Sequence, residues 1–261
     1  MLQHQIVSRE QWLVARKAHL AHEKELSHAR ERLAEERRAL PWVKVDKNYV
    51  FDGPNGKVTF GDLFKDRPQL VVQHVMFAPD WEAACKSCSF WADGFDRMVP
   101  HLAARDTSMV AISLAPVTKL EAFKARMGWS FDWVSSGHND FNYDYEVSFT
   151  QAQIDKGVPR YNFGATPFYG PELPGISVFY RTEAGEIFHT YSCFARGIDM
   201  MNAAYQYLDL TPLGRHEDGL PYPMDWVRLR DEYQPQAAKG RAATGELLGT
   251  LGLYARCHRP T

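Results

Sequence analysis

An uninterrupted apolar run, Leu70-Val71-Val72-Gln73-His74-Val75-Met76-Phe77, leads through a short loop into Cys85-Lys86-Ser87-Cys88 and a helical pattern beginning near Ser89. A strand this apolar is buried on both faces, which requires helical layers on each side of a parallel or mixed sheet. The two cysteines then fall where a helix begins. A helix N-terminus carries about half a positive charge and unpaired N–H groups, and both stabilise a thiolate. Two cysteines at this spacing beside a βαβ pattern read first as a redox pair and second as half of a metal site.

The flanking segments supply the rest of a domain. Helix Ser89 to Arg105 is followed by strand Met109 to Leu114 and helix Val117 to Met127, giving the order β-α-β-α with parallel strands and right-handed connections. Upstream, Val43, Val45, Tyr49 and Phe51 alternate with polar residues, and Gly53-Pro54-Asn55-Gly56 turns the chain toward Val58-Thr59-Phe60 as a hairpin. Downstream, a segment rich in aromatic residues, Pro and Gly (128–174, with one short strand near Trp133) is an insertion of the length that usually serves function. Pro174-Gly175 opens a second hairpin, Ile176–Tyr180 and Ile187–Tyr191, and a helix from Ile198 to about Leu208 closes the core.

Two extensions flank this unit, so the expected division is an arm over 1–41, a domain over 42–213 and an extension over 214–261. Ser8-Arg9-Glu10-Gln11 is a capping box opening a stretch free of Pro and Gly that runs to Leu40, with Ser27 as a point of weakness. Its Trp12, Leu13, Leu20, Leu26, Leu33 and Leu40 need something to lie on: the domain itself or a second copy in a homodimer. The tail alternates Pro, charge and a few aromatics, and its last twenty or so residues are expected to be loosely held.

Composition narrows the partners. A net charge of −2 over 261 residues favours neither nucleic acid nor an anionic membrane, and no apolar run is long enough to span a bilayer. Four cysteines are too few for a disulfide framework, and Met1 to Glu10 lacks an apolar export core, so a reducing, cytoplasmic setting is expected.

These elements together resemble the thioredoxin fold, and Asp52-Gly53-Pro54-Asn55-Gly56 through Phe64 is similar to the peroxiredoxin branch of that superfamily. More narrowly, Phe77-Ala78-Pro79-Asp80-Trp81, Cys85-Lys86-Ser87-Cys88-Ser89-Phe90, Arg126-Met127-Gly128-Trp129, Phe141-Asn142-Tyr143-Asp144 and His189-Thr190-Tyr191-Ser192 resemble the DUF899 group of bacterial thioredoxin-like proteins. The resemblance implies a three-layer α/β/α domain with a mixed central sheet, an N-terminal helical arm and an irregular C-terminal tail. It also implies that Pro174 occupies the position where such proteins hold a cis-proline against the thiols.

The chemistry expected is thiol–disulfide exchange without a cofactor, on a protein or small-molecule thiol or disulfide. Cys85 is the nucleophile because its sulfur faces the helix amides; Cys88, one turn on, resolves the mixed disulfide. Trp81, Pro174 and Trp129 are candidates for the substrate surface, against the alternative that the tryptophans are core. Three alternatives stand beside this reading. In the first, the hairpin brings His189 and Cys193 to Cys85 and Cys88 as a Cys₃His zinc or copper-chaperone-like set. In the second the chain is a peroxiredoxin-like peroxidase with an Arg clamp from Arg126, Arg160 or Arg196, although Glu82 stands where that family has Thr. The third is a non-redox binding module on the same scaffold. Cys257 reads as an incidental exposed thiol and His74 as a hydrogen-bonded core residue.

Overall fold

The computed structural model describes residues 4–157, 160–164 and 170–233. In chain order the elements are α1 (Arg9–Arg38), β1 (Val43–Lys44), β2 (Val50–Gly53), β3 (Gly56–Thr59), α2 (Phe60–Leu63), β4 (Gln69–His74), α3 (Lys86–Phe95), α4 (Val99–Ala103) and β5 (Thr107–Ser113). Then come α5 (Val117–Met127), β6 (Asp132–Ser135), α6 (Phe141–Asp144), α7 (Gln151–Asp155), β7 (Gly175–Arg181), β8 (Ile187–Phe194) and α8 (Ala203–Leu208). The strands form one mixed sheet in the order β1-β8-β7-β4-β5-β6-β2-β3. The strands β4, β5 and β6 are parallel, while β7 runs antiparallel to β4 and β8 antiparallel to β7. Central strands β5-β4-β7-β8, with α3 and α5 as crossovers and α8 closing, make the expected thioredoxin-like core.

Alternation inside the central strands sorts the core into two layers. Leu70 and Val72 of β4, Val110 and Ile112 of β5, and Phe179 of β7 face one layer with Phe51, Phe60 and Phe141. Met109 and Ala111 face the other, where α3 and α5 contribute Cys88, Trp91, Phe95, Leu120 and Phe123. Both faces are thus covered, as the apolar character of β4 requires.

Element boundaries follow local chemistry. The capping box of Ser8 and Gln11 starts α1, which passes Ser27 unbroken; the Ser27 hydroxyl points back along the helix and donates to the Glu23 carbonyl at 2.9 Å. No residue of α1 is buried, and its apolar side chains remain exposed. Val43 and Lys44 do not join the first hairpin; they pair with Phe188 and His189 and cover the β8 edge. Pairing of Val50–Gly53 with Gly56–Thr59 forms that hairpin instead. The helix after the cysteines starts at Lys86, three residues before the periodic pattern suggests, and passes through a 3₁₀ turn into a separate helix with Pro100 in its first turn. Helix α5 ends on Gly128 in the left-handed conformation at φ 65°. The closing helix is divided into a 3₁₀ segment, Ala195–Met201, and α8. Among the described residues no helix is long and apolar enough to cross a membrane.

Beneath the sheet, His74 is buried, with Nε2 at 2.9 Å from the Ser177 hydroxyl. Burial holds its pKa down to about 3, so the ring is neutral in the folded chain. An unfolded histidine titrates near pH 6.5, so acidification protonates the unfolded state first and stability is lost as pH falls from about 6.5 toward 3. Between pH 7 and 5 this group alone removes about 2 kcal/mol. Urea unfolding at the two pH values is expected to show that loss in the wild type and a smaller one in His74→Gln; equal losses would remove His74 as the cause.

Candidate functional site

Strand β4 delivers the chain to the end of the sheet at which the thiols sit. The loop beyond it is pinned: the Cys85 amide donates to the Met76 carbonyl at 3.0 Å, and Ala115 N–H to the Phe77 carbonyl at 2.8 Å. The Lys119 ammonium donates to the carbonyls of Pro79 and Trp81. Cys85 is the N-cap of α3 and has extended backbone angles, φ −52° and ψ 127°. Its sulfur therefore lies at the N-terminus of the helix, where the amides of Ser87 and Cys88 favour a thiolate although no capping hydrogen bond to the sulfur is formed.

Cys88 donates to the Cys85 sulfur, the amides of Cys88 and Ser87 and the Ser87 hydroxyl add to that, and together they overcome burial and bring the Cys85 pKa down to about 6. Cys88 is 3% exposed. Its pKa is pushed well up by the bond to Cys85, by burial, by the Cys85 charge and by the charge of Glu172, against a Met76 amide that favours its thiolate. The two thiols are thus differentiated: one is drawn toward ionisation, the other holds its proton.

Glu172 was not among the residues singled out from the sequence. It is 5% exposed, accepts from the Ser148 hydroxyl at 3.0 Å, and is pushed up to about 7 by burial. The only signal in the sequence is an acid two residues before Pro174, inside a segment rich in aromatics, Gly and Pro.

A cavity of about 850 Å³ opens beside the thiols, lined among others by Cys85, Cys88, Pro174, Cys193, Tyr205 and Met224. One wall comes from the C-terminal extension. The Glu217 carboxylate accepts from the Tyr205 hydroxyl at 2.9 Å, the Met224 amide at 3.0 Å and the Trp226 indole at 2.6 Å. Arg215 lies 3.9 Å over the Tyr205 ring and pairs with Asp199 and Asp209. Farther on, Val227 and Leu229 are buried, and Arg126 pairs with Asp231 and Glu232. The Lys86 ammonium donates to the Asp225 carbonyl at 3.2 Å, which ties this wall to the first turn of α3.

Of the residues expected at the site, Cys85, Cys88, Pro174 and Cys193 line the cavity. Among the described residues there is no cis peptide bond, so Pro174 is trans, unlike the proline the resemblance implies; its carbonyl accepts from the Tyr161 hydroxyl at 2.7 Å. Trp81 packs at the edge of the core and Trp129 is a core residue whose indole donates to Asp93 at 2.8 Å; neither lines the cavity. Arg196 lines it and pairs with Asp199, Arg160 is exposed, and Glu82 is exposed on the preceding loop. Cys257, Phe168 and Tyr169 lie outside the described residues.

His189 does not join the thiols. Pairing runs Val178 with Tyr191 but Phe179 with His189, leaving Thr190 as an extra residue in a β-bulge. One extra residue reverses which side chains face which layer. Cys193 and Tyr191 consequently face the α3 layer, whereas His189 packs against Tyr145 and Phe179 on the other side and bonds to the Ser192 hydroxyl at 2.7 Å. Among the described residues no group of three or more His, Cys, Asp or Glu is placed to hold a metal ion. Expectation and structure differ here because a period of two counts residues, and a bulge breaks the count.

The family model for DUF899, described as a bacterial protein of unknown function, matches residues 1–233. No curated protein matches the chain. Solved structures similar to it include peroxidoxin BcpB from Mycobacterium tuberculosis, 14% identical over 64% of this chain and 96% of that one, with a TM-score of 0.42. A PrxQ mutant from Xylella fastidiosa is 12% identical over 64% and 95% at 0.41, and a putative thiol:disulfide interchange protein DsbE from Chlorobium tepidum is 14% identical over 64% and 94% at 0.34.

Proposed function

For a chain that belongs to the DUF899 family, we propose from its own geometry that it is a thiol–disulfide oxidoreductase in which Cys85 attacks and Cys88 resolves. The observation that carries the reading is the asymmetry of the pair: Cys85 caps α3 and is drawn down to about 6, while Cys88 is buried and held protonated.

The Cys85 thiolate attacks one sulfur of a substrate disulfide, forming a mixed disulfide and releasing the other sulfur as a thiolate. Cys88 then loses its proton and attacks Cys85 Sγ. The second substrate thiol leaves, and two electrons have passed from the dithiol to the substrate, leaving a Cys85–Cys88 disulfide. Pro174, on the cavity wall, forms part of the surface that the substrate meets. The Cys88 proton is released into the cavity that Cys88 lines, and the charge of Glu172 opposes that release.

Two measurements test this. Thiolate ultraviolet absorbance against pH is expected to give a midpoint near 6, and equilibration with a glutathione redox buffer is expected to form the internal disulfide; a midpoint near 8.5 with no disulfide would defeat the reading. Glu172→Gln removes the smallest of the influences that raise Cys88, after the bond to Cys85, burial and the Cys85 charge. Its expected signature is a small shift to lower pH of the rise in the rate of mixed-disulfide resolution, with the Cys85 midpoint unmoved. A pH profile identical to wild type would assign Glu172 a structural role only.

The second copy that the N-terminal arm would suit belongs to the same proposal. A 30-residue helix with no buried residue and exposed Trp12, Leu20, Leu26 and Leu33 is accounted for by a partner arm lying along it.

A further inference from the structure

A second chamber, of about 390 Å³, lies behind the thiol cavity and shares Gln73, Trp91, Tyr191, Cys193 and Gly197 with it. Its walls include Val71, Leu102, Met109, Ile176 and Val178. Met98, Met200 and Met201, all exposed, also line it. Methionine is unbranched and adaptable, and it suits a surface that closes on apolar ligands of varying shape.

Two glycines border this space. Gly94 sits within α3, where glycine costs about 1 kcal/mol relative to alanine. Its φ is not positive, and a Cβ built there meets no atom within 4 Å. Neither backbone geometry nor crowding therefore requires glycine. What a side chain at Gly94 would take is room beside the chamber. Gly197 lines both cavities, and its Cβ would come 3.4 Å from Cys193 Cβ, so a side chain there would crowd the partition.

One lining residue is charged. Arg37, in the last turn of α1, sets its guanidinium 4.7 Å from the centroid of the Tyr191 ring, and its Nε is buried without a hydrogen-bond partner among the described residues. Its positive charge is felt by Cys193 and Tyr191 on the partition. A single planar guanidinium beside an otherwise uncharged lining suits a carboxylate, which it can hold with two parallel hydrogen bonds. A phosphate head, with its greater charge, would call for further cations that the lining does not offer.

We propose that this chamber binds an aliphatic carboxylate, with its hydrocarbon chain among the methionines between Gly94 and Cys193 and its head group on Arg37. The site is separate from the thiol chemistry and does not depend on it, although its occupant would lie against the wall of the redox cavity. It would give α1 a role in ligand binding in addition to any role in assembly.

Calorimetric titration of the full chain with decanoate, decanol and decylammonium tests it. Decanoate is expected to bind at one site per chain, and the alcohol and the amine about tenfold or more weaker, in line with loss of a charge-assisted hydrogen bond. Arg37→Gln, at a half-buried position in the last turn of α1, should weaken decanoate by a similar factor while leaving decanol unchanged. Gly94→Leu should abolish binding of both with no fall in melting temperature, and Gly94→Ala serves as the milder filling if leucine disturbs the fold. No heat with decanoate, equal affinity for decanoate and decanol, or unchanged binding in Arg37→Gln or in a folded Gly94→Leu would each overturn the proposal. Loss of thiol exchange in the wild type, with binding intact, would count against the redox reading alone.

Discussion

Cys85→Ser is expected to abolish disulfide exchange and remove the thiolate absorbance that titrates near pH 6, whereas Cys88→Ser is expected to retain the attacking thiolate and trap a mixed disulfide with substrate. The magnitude follows from ionisation. A thiol with a pKa of about 6 is roughly 90% thiolate at pH 7, against about 3% for an ordinary thiol near 8.5, so its position provides some thirtyfold more reactive species. Part of that depression is the bond donated by Cys88, so the Cys85 midpoint should rise when Cys88 becomes Ser and its weaker fit to a sulfur acceptor replaces the thiol. The measurement is alkylation rate against pH for the wild type and both variants. An alkylation profile in Cys85→Ser that still shows a midpoint near 6 would place the reactive thiol elsewhere, with Cys193 as the next candidate.

The largest stability effect is expected at Phe141. Its side chain is fully buried, and its ring lies 4.5 Å from Tyr145, 5.0 Å from Tyr49, 5.2 Å from Phe51, 5.4 Å from Phe60 and 5.8 Å from His74, measured between centroids. It joins the segment after β6 to β2, α2 and β4, so deletion of the ring opens a cavity that no single element can collapse into. Phe141→Ala should cost about 3–5 kcal/mol, of the order of 10 °C in melting temperature for a chain of this length. Phe163, which is exposed, serves as the control and should cost little when changed to alanine. A loss at Phe141 below about 1 kcal/mol in urea unfolding would mean that this aromatic cluster is not packed as described.

How far the sequence could be read depended on whether the controlling interaction was local. The helix Val117–Met127 was readable to its ends because Pro116 precedes it and Gly128 stops it. The hairpin at Gly53–Gly56 was readable because its turn residues are adjacent. The place of Val43 is not legible locally because its partner, His189, is far along the chain. Glu172 passed unnoticed because an acid acquires an unusual pKa only from the burial that folding creates. The cavity wall around Glu217 was equally hidden, since three donors that converge on one carboxylate come from two separate stretches.

The Cys85-x-x-Cys88 pair itself was determined by sequence alone: a strand buried on both faces, a loop, and cysteines at a helix start are all encoded within some thirty residues. Tertiary structure decided what surrounds the pair. The bulge at Thr190 turned His189 away and left Cys193 facing the cavity, and the extension after Gly214 supplied a wall. Local propensities act between neighbours in the chain, whereas facing, burial and cavity shape depend on contacts between segments that only the assembled sheet brings together.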